Sequence, residues 1–271
     1  MKKVAFIGAG NMSRAILVGM VNNGFTASNI IVSNPSAPKR EALALDFGVQ
    51  QTSDNIEACN FADVIILSVK PHLIKDVCQQ IKDNIDIANK CFISVAAGVS
   101  LAQMHSVLGD NASIIRCMPN TPSQLGLGMT GFFAPESVSQ QDKDFANNAL
   151  ASVGKVKWLA NEAQIDDLIT VSGSGPAYFF AFMEAMQSQA MAFGFDQQTA
   201  RELVQQTALG AAQMAIQNDD SIATLRANVT SKGGTTHAAI TTFADGGLDS
   251  LVSDAMKACK ARAIEITESN N

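Results

Sequence analysis

A glycine-rich stretch near the start of the chain has the spacing of a phosphate-binding turn. It runs Gly8-Ala9-Gly10-Asn11-Met12-Ser13, a G-x-G-x-x-G pattern with serine in the third position. Gly8 permits a tight turn. Because Gly10 has no side chain, the backbone N–H groups of the turn, including those of Asn11 and Met12, can approach a pyrophosphate. Serine is nearly as small as glycine, so close packing survives at Ser13. An ordinary tight turn between a strand and a helix is the alternative interpretation.

The residues about 20 positions beyond these glycines indicate which dinucleotide fits. An NAD site usually has Asp or Glu there to hold the ribose 2′-hydroxyl. This chain has Ser33-Asn34-Pro35-Ser36, followed by Lys39 and Arg40. Small polar groups and two cations suit a 2′-phosphate, so we predict NADP, with NADPH preferred and NADH possible. A solvated start of a helix is the alternative for the two cations.

The ends of two later strands should complete the cofactor site. The predicted strand 62–69 runs into Ser68-Val69-Lys70-Pro71, and the predicted strand 91–96 ends at Ala96, followed by Ala97. Loops at the carboxyl ends of parallel strands bind the ligands of doubly wound sheets. We therefore expect these residues beside the nicotinamide half of the cofactor, with the Pro119-Asn120-Thr121-Pro122 loop at the same edge.

A second glycine turn lies far along the chain, at Gly233-Gly234, and leads into Thr235-Thr236 and an apolar helical pattern. Glycine amides at the start of a helix can cradle a carboxylate, and a threonine hydroxyl can both donate and accept. Taken alone, the stretch would equally suit a simple helix cap.

The elements that must position these residues change in character near residue 160. Strand patterns alternate with helical patterns up to that point, whereas only helical patterns follow Asn161. We predict an α/β fold: an N-terminal Rossmann-type doubly wound domain over 1–160, then an all-α dimerisation domain over 161–271. The predicted strands are Val4–Ile7, Asn29–Ser33, Val49–Thr52, Ala62–Val69, Cys91–Ala96, Ser113–Met118, Gly126–Ala134 and Lys155–Leu159.

The second half is rich in alanine and methionine. We predict a helix at 164–171, a break at Ser172–Pro176 with Pro176 as first helical residue, and a helix over 177–193. Gly194 should end that helix and Asp196 should open the next. Small and apolar side chains on these helices favour an intertwined subunit interface. A self-contained helical bundle is the alternative.

Composition excludes several classes of protein. Of 271 residues, 47% are hydrophobic and 16% charged, and the net charge of −6 argues against nucleic-acid binding. The five cysteines are widely spaced without a C-x-x-C pair, which indicates reduced thiols and a cytoplasmic location. His72, His105 and His237 are too scattered to predict a metal site. We expect no signal peptide and no membrane span.

Five motifs follow one another along the whole chain: FIGAGNM at 6–12, LSVKP at 67–71, CMPNTP at 117–122, SGSGPAY at 172–178 and NVTSKGGTT at 228–236. Together they resemble the motifs of the pyrroline-5-carboxylate reductases. The resemblance implies an oxidoreductase that reduces the cyclic imine 1-pyrroline-5-carboxylate to L-proline with NAD(P)H, the last step of proline biosynthesis. It also implies a Rossmann-type domain and a helical domain that forms an interlocked homodimer, often assembled further into a decamer.

The same resemblance implies roles for individual residues. The loop that binds the substrate carboxylate, contributed across the dimer, comprises Ser231, Gly233, Gly234 and Thr235. Thr236 would hydrogen-bond the imine nitrogen or the nicotinamide amide, and Asn55 would contact the adenosine ribose. The family loop usually reads S-P-G-G, whereas Lys232 stands here in place of proline. This departure either loosens the loop or adds a cation near the carboxylate.

The predicted chemistry requires positioning more than acid catalysis, because the imine can arrive already protonated. A β-hydroxyacid dehydrogenase, which shares this architecture, would need a lysine base on the long helix of the second domain. No lysine occurs between Lys157 and Lys232, which counts against that alternative. A non-catalytic NADP-binding or redox-sensing homologue is the other alternative.

Overall fold

The computed structural model describes residues 2–269, and its first half is built on one eight-stranded sheet. Each strand lies within or close to a predicted one, and the ends differ by a few residues at most. The strands are β1 Val4–Ile7, β2 Ile30–Ser33, β3 Gln50–Thr52, β4 Val64–Leu67, β5 Cys91–Ser94, β6 Ser113–Met118, β7 Gly128–Phe133 and β8 Gly154–Trp158.

The strand order is β3-β2-β1-β4-β5-β6-β7-β8. Strands β1 to β6 are parallel, β7 pairs with β6 in the antiparallel sense, and β8 is parallel to β7. The order reverses between β1 and β4, which is where doubly wound sheets open a crevice for ligands. The connecting helices are α1 Asn11–Asn22, α2 Ala37–Phe47, α3 Asn55–Phe61, α4 Ile74–Asn84, α5 Leu101–Leu108 and α6 Gln140–Ala151.

Alternate residues of the buried strands point to opposite faces of the sheet and form two apolar cores. Val4 and Phe6 of β1 belong to the core shared with α1, α2 and α6. Ala5 and Ile7 belong to the core shared with α3, α4 and α5. Helices therefore cover both faces, which makes the fold doubly wound as predicted.

Beyond β8, up to residue 269, all the regular elements are helices, as predicted. The helices are α7 Gln164–Leu168, α8 Gly175–Ala192, α9 Gln197–Gln217, α10 Ile222–Asn228, α11 Thr235–Asp245 and α12 Leu248–Ser269. Gly194 adopts φ +102° after α8, and the Asp196 carboxylate caps α9 through the N–H groups of Gln198 and Thr199. Both predicted boundaries are thus confirmed.

The predicted break at Ser172–Pro176 is wrong. A π-helical turn at Ile169–Gly173 carries the chain from α7 to α8, and the Ser174 N–H donates to the Ile169 carbonyl at 2.8 Å. Ser174 itself has right-handed helical angles, so no extended capping residue precedes Pro176. Proline is tolerated there because the first turn of a helix needs few N–H donors.

The chain divides into two compact units, one of 2–174 with 259–269 and one of 175–258. Within the second unit only Gly175, Ala200 and Val204 are buried. Large apolar side chains such as Phe179, at 72% exposed, and Phe193, at 75%, lie on its surface. The boundary predicted at 160/161 follows the change in element type and stays a prediction. Within 2–269, no helix is both long and apolar enough to cross a bilayer.

Candidate active site

The first glycine turn links β1 to α1 and is fixed on both sides by neighbouring strands. Gly8 has φ +109°, and its N–H donates to the Ser33 carbonyl at the end of β2, at 2.8 Å. A Cβ on Gly8 would lie 2.7 Å from the Ser68 carbonyl oxygen. Both its conformation and its surroundings therefore require glycine.

Gly10 differs from Gly8 in what it contacts. It is the N-cap residue of α1, with no side-chain cap, and a Cβ there would meet no atom within 4 Å. The chain itself gives no steric reason for glycine, and the N–H groups of Asn11 and Met12 at the helix N-terminus have no capping side chain. This open, electropositive turn fits the pyrophosphate of a dinucleotide.

Ser13 shows why serine is accepted at the third position of the pattern. It is fully buried, and its hydroxyl donates to the Ser68 hydroxyl at 2.8 Å. The Ser68 hydroxyl also lies 3.4 Å from the Ile7 carbonyl. The serine thus connects α1 to the end of β4, an interaction that the sequence pattern did not predict.

The residues after β2 form a linked polar group. Asn34 Oδ1 accepts from the Ala9 N–H of the glycine turn at 3.2 Å. The buried Ser33 hydroxyl donates to Asn55 Oδ1 at 2.7 Å, so two of the predicted cofactor residues are in direct contact. Asn55 is the first residue of α3, immediately after the capping Asp54.

The two predicted phosphate-binding cations have different environments. Arg40 is half-buried: its Nη1 donates to the Asn34 and Pro35 carbonyls at 3.1 and 3.3 Å, and its Nε donates to Gln51 at 2.6 Å. Arg40 therefore holds the loop after β2 in place. Lys39 is exposed and contacts no described residue through a hydrogen bond or ion pair. No carboxylate occupies the 33–36 segment.

The ends of β4 and β5 lie at the same edge of the sheet as Gly8. Ser68 donates its N–H to the Ile7 carbonyl, Val69 is half-buried and Lys70 is exposed. Lys70 immediately precedes the short 3₁₀ turn Pro71–Leu73. Beyond β5, Ala96 is buried and Ala97 is exposed. Ala97 is thus open to solvent close to the end of β5.

Asn120 joins three segments after β6 and is 8% exposed. Its Nδ2 donates to the Ser172 carbonyl in the π turn at 2.9 Å, and its Oδ1 accepts from the Met129 N–H of β7 at 2.8 Å. The 119–122 stretch is therefore held by its amide side chain as well as by its prolines. Sequence reasoning placed this loop at the correct edge but missed the role of Asn120.

Arg116 on β6 is a buried charge that the sequence analysis did not single out. Its side chain is 3% exposed, and Nη1 donates to Glu162 Oε1 at 2.8 Å. The same carboxylate oxygen accepts from the Leu101 N–H at the start of α5. Burial raises the pKa of Asp166, the second carboxylate near Arg116, although Arg116 opposes the rise. This cluster fixes α5 and α7 to the sheet.

The second glycine turn precedes α11 and is exposed. Gly233 has φ +75°, and the Gly234 N–H donates to the Ser231 carbonyl at 3.0 Å. Gly234 is the N-cap of α11 and has no side-chain cap. A Cβ on Gly234 would lie 2.6 Å from the Ser231 hydroxyl. Thr235 and Thr236 begin the helix, both exposed.

The four buried cysteine thiols do not supply a nucleophile. All five cysteines are free, and burial raises the pKa of Cys59, Cys78 and Cys91 to about 12. Burial also raises the pKa of Cys117, next to the site, so it stays a neutral thiol. Within residues 2–269, no three His, Cys, Asp or Glu side chains come together as metal ligands.

Comparison with known proteins agrees with this arrangement. Residues 162–266 match the family model described as pyrroline-5-carboxylate reductase dimerisation, and residues 3–98 match one described as NADP oxidoreductase coenzyme F420-dependent. The chain is 52% identical to a pyrroline-5-carboxylate reductase of Vibrio alginolyticus. The 266 aligned residues cover 98% of this chain and 97% of the relative. The chain belongs to the pyrroline-5-carboxylate reductase family.

Solved structures of this family have the same fold. A pyrroline-5-carboxylate reductase from Coxiella burnetii is 42% identical, with 98% of each chain covered and a TM-score of 0.94. The pyrroline carboxylate reductase of Plasmodium falciparum, solved with NADP bound, is 25% identical, with 98% of each chain covered and a TM-score of 0.86. The predicted family and fold class are confirmed.

Proposed function

We propose that this chain reduces 1-pyrroline-5-carboxylate to L-proline with NADPH, the final step in making proline. The observation that carries the proposal is a pair of glycine turns, each ending at the uncapped N-terminus of a helix, in a chain of this family. The turn before α1 suits the pyrophosphate of the cofactor, and the turn before α11 suits the carboxylate of the substrate.

A nicotinamide nucleotide fits the first turn, and three features favour NADPH over NADH. The segment after β2 has no carboxylate to hold a ribose 2′-hydroxyl. Arg40 is held against the carbonyls of that segment, which places a guanidinium next to it. Lys39 adds a second, exposed cation. Two cations and no anion would attract a 2′-phosphate.

The chemistry requires little acid–base assistance from the protein. When bound, the reduced nicotinamide supplies a hydride to the imine carbon. Ser231, Gly233, Gly234 and Thr235 hold the carboxylate, and the Thr236 hydroxyl hydrogen-bonds the ring nitrogen or the nicotinamide amide. The substrate brings its own proton on nitrogen, so hydride addition gives the secondary amine of proline directly. Catalysis then consists mainly of positioning.

The second unit supports a homodimer, because it cannot bury its own apolar side chains. The dimerisation match at 162–266 agrees with this. In the proposed enzyme the 231–236 loop of one copy completes the site of the other, and dimers assemble further into a decamer. Five free, mostly buried thiols favour the reducing cytoplasm as its location.

The test is to follow NADPH absorbance with purified protein and 1-pyrroline-5-carboxylate, and then to repeat it with NADH. We expect rapid oxidation only when the imine is present, and a larger kcat/KM with NADPH. Tight NADPH binding without imine-dependent oxidation would instead identify a non-catalytic NADP-binding homologue.

A further inference from the structure

The loop before α11 contains a β-turn whose type is defined by its geometry. The Gly234 N–H closes the turn on the Ser231 carbonyl at 3.0 Å, and Gly233, the third residue, has φ +75°. Among residues 2–269 no non-glycine residue has positive φ, so Lys232, the second residue, has negative φ. These values correspond to a type II turn, in which the second position favours proline and accepts most other residues. The turn is therefore formed with Lys232, without the rigidity of proline.

Lys232 is an unpaired cation. Its side chain is exposed, and no described residue forms a hydrogen bond or ion pair with it. It stands two residues before Gly234, the uncapped N-terminus of α11. Its ammonium is therefore free to interact with an anion that approaches this helix.

Lys232 is a cation within a unit of net negative charge, so it can change how an anion approaches the turn. The unit 175–258 contains four Lys and Arg against eight Asp and Glu, a formal net charge of −4 out of −6 for the whole chain. An anion that approaches this unit meets a repulsive field. The N–H groups of the helix N-terminus attract it only at short range, within about one helical turn. A free ammonium acts over about 10 Å at 0.1 M ionic strength.

We propose that Lys232 is a specificity-determining residue that draws the substrate carboxylate into the turn before α11. The inference rests on the proposed function, in which this turn binds the carboxylate. Compared with proline at this position, Lys232 makes the turn less rigid but attracts the substrate carboxylate over a longer distance. It acts on capture of the anion, not on hydride transfer, so its effect falls on KM and on the salt dependence of kcat/KM.

The experiment compares wild type with Lys232→Met and Lys232→Pro, with kcat and KM for 1-pyrroline-5-carboxylate measured from about 20 mM to about 500 mM ionic strength. We expect both variants to raise KM about threefold to tenfold at low salt, with kcat within about twofold of wild type. At high salt the difference should disappear, because screening removes the attraction that wild type alone has. A second substrate, 1-pyrroline, has the same ring without the carboxylate and should show no difference in KM.

Lys257→Met is the matched control. Lys257 is exposed on α12 in the same unit and lies 3.7 Å from Asp254. The Lys257→Met substitution removes one positive charge at a position outside the turn, so KM and its salt dependence should be unchanged. An equal effect of Lys257→Met would show that net charge alone matters and would overturn the inference.

Three further outcomes would overturn it. If Lys232→Met equals wild type at every ionic strength, the ammonium does not act on the substrate. If Lys232→Pro matches wild type while Lys232→Met does not, turn rigidity rather than charge sets KM. In both cases imine-dependent oxidation by wild type still supports the proposed function. If wild type itself shows none, the proposed function and this inference fall together.

Discussion

The two glycine turns of this protein have the same local form and opposite surroundings. Each ends at a glycine N-cap and leads into a helix without a side-chain cap. The turn before α1 is packed between strand ends, with Gly8 buried and hydrogen-bonded to Ser33. The turn before α11 has exposed residues on both sides of Gly234 and is closed only by its own Ser231 to Gly234 hydrogen bond.

For the proposed site, the difference separates the part that one chain can build by itself from the part that it cannot. The packed turn has its shape set by β1, β2 and β4, so it is complete within the fold. The exposed turn presents the uncapped N–H groups of α11 and the ammonium of Lys232, and no residue of the 231–236 loop pairs with them through a side chain. We infer that the proposed cofactor half of the site depends on the stability of the sheet, whereas the proposed substrate half depends on assembly of the homo-oligomer.

The largest expected effect comes from Gly8→Ala. Alanine at φ +109° is strained, and its Cβ would meet the Ser68 carbonyl at 2.7 Å. We expect the free energy of unfolding of the sheet unit to fall by roughly 2–4 kcal/mol and activity to be lost. Chemical denaturation and NADPH titration measure the two effects.

Gly10→Ala is its control, because φ is −80° and a Cβ would meet nothing within 4 Å. It should leave unfolding within about 1 kcal/mol of wild type and weaken NADPH binding. Equal destabilisation by both variants would refute the view that the first turn is shaped by its neighbours.

A smaller effect is expected from Thr236→Ala in the exposed turn. In the proposed reaction the Thr236 hydroxyl hydrogen-bonds the reacting ring or the nicotinamide amide, so its removal should lower kcat about a hundredfold. NADPH affinity and the unfolding transition should change little, because the Thr236 side chain is exposed.

Steady-state kinetics with a fluorescence titration of NADPH separates these quantities. Thr241 is also exposed on α11 but lies outside the turn. Thr241→Ala removes the same hydroxyl group there and should retain wild-type kcat. An unchanged kcat in Thr236→Ala would remove Thr236 from the reaction.

The smallest effect concerns cofactor preference and tests the packed turn again. Asn34→Asp keeps the acceptor for the Ala9 N–H, at 3.2 Å in the native chain, and adds a negative charge after β2. We expect the ratio of kcat/KM for NADPH to that for NADH to fall roughly tenfold, because the carboxylate repels a 2′-phosphate and suits a 2′-hydroxyl.

Asn29→Asp adds the same charge at the other end of β2 and should leave the ratio unchanged. A ratio unaffected by Asn34→Asp would indicate that the segment after β2 does not contact the ribose.

Local patterns were sufficient for most of the fold. The apolar run at Val4–Ile7 coincides with β1, since a buried parallel strand needs a continuous apolar stretch bounded by turn residues. The predicted strand Ser113–Met118 coincides with β6, although it contains the buried Arg116. The two glycine turns were likewise visible, because a positive φ or a close backbone approach selects glycine over every other residue. The residues around Ser172 gave the opposite result: Gly, Ser and Pro predicted a break, and the chain forms a π turn instead.

The sequence by itself therefore determined the order of strands and helices, the change to an all-helical second half and the positions of both glycine turns, which we propose bind anions. Only the tertiary structure decided how the first turn and the loop after β6 are held. The Ser13 to Ser68 bond spans 55 residues and the Asn120 to Ser172 bond spans 52. No local pattern encodes such pairs, because each residue type is compatible with many partners. Partners separated this far along the chain meet only when the sheet has formed and brings the ends of its strands to one edge.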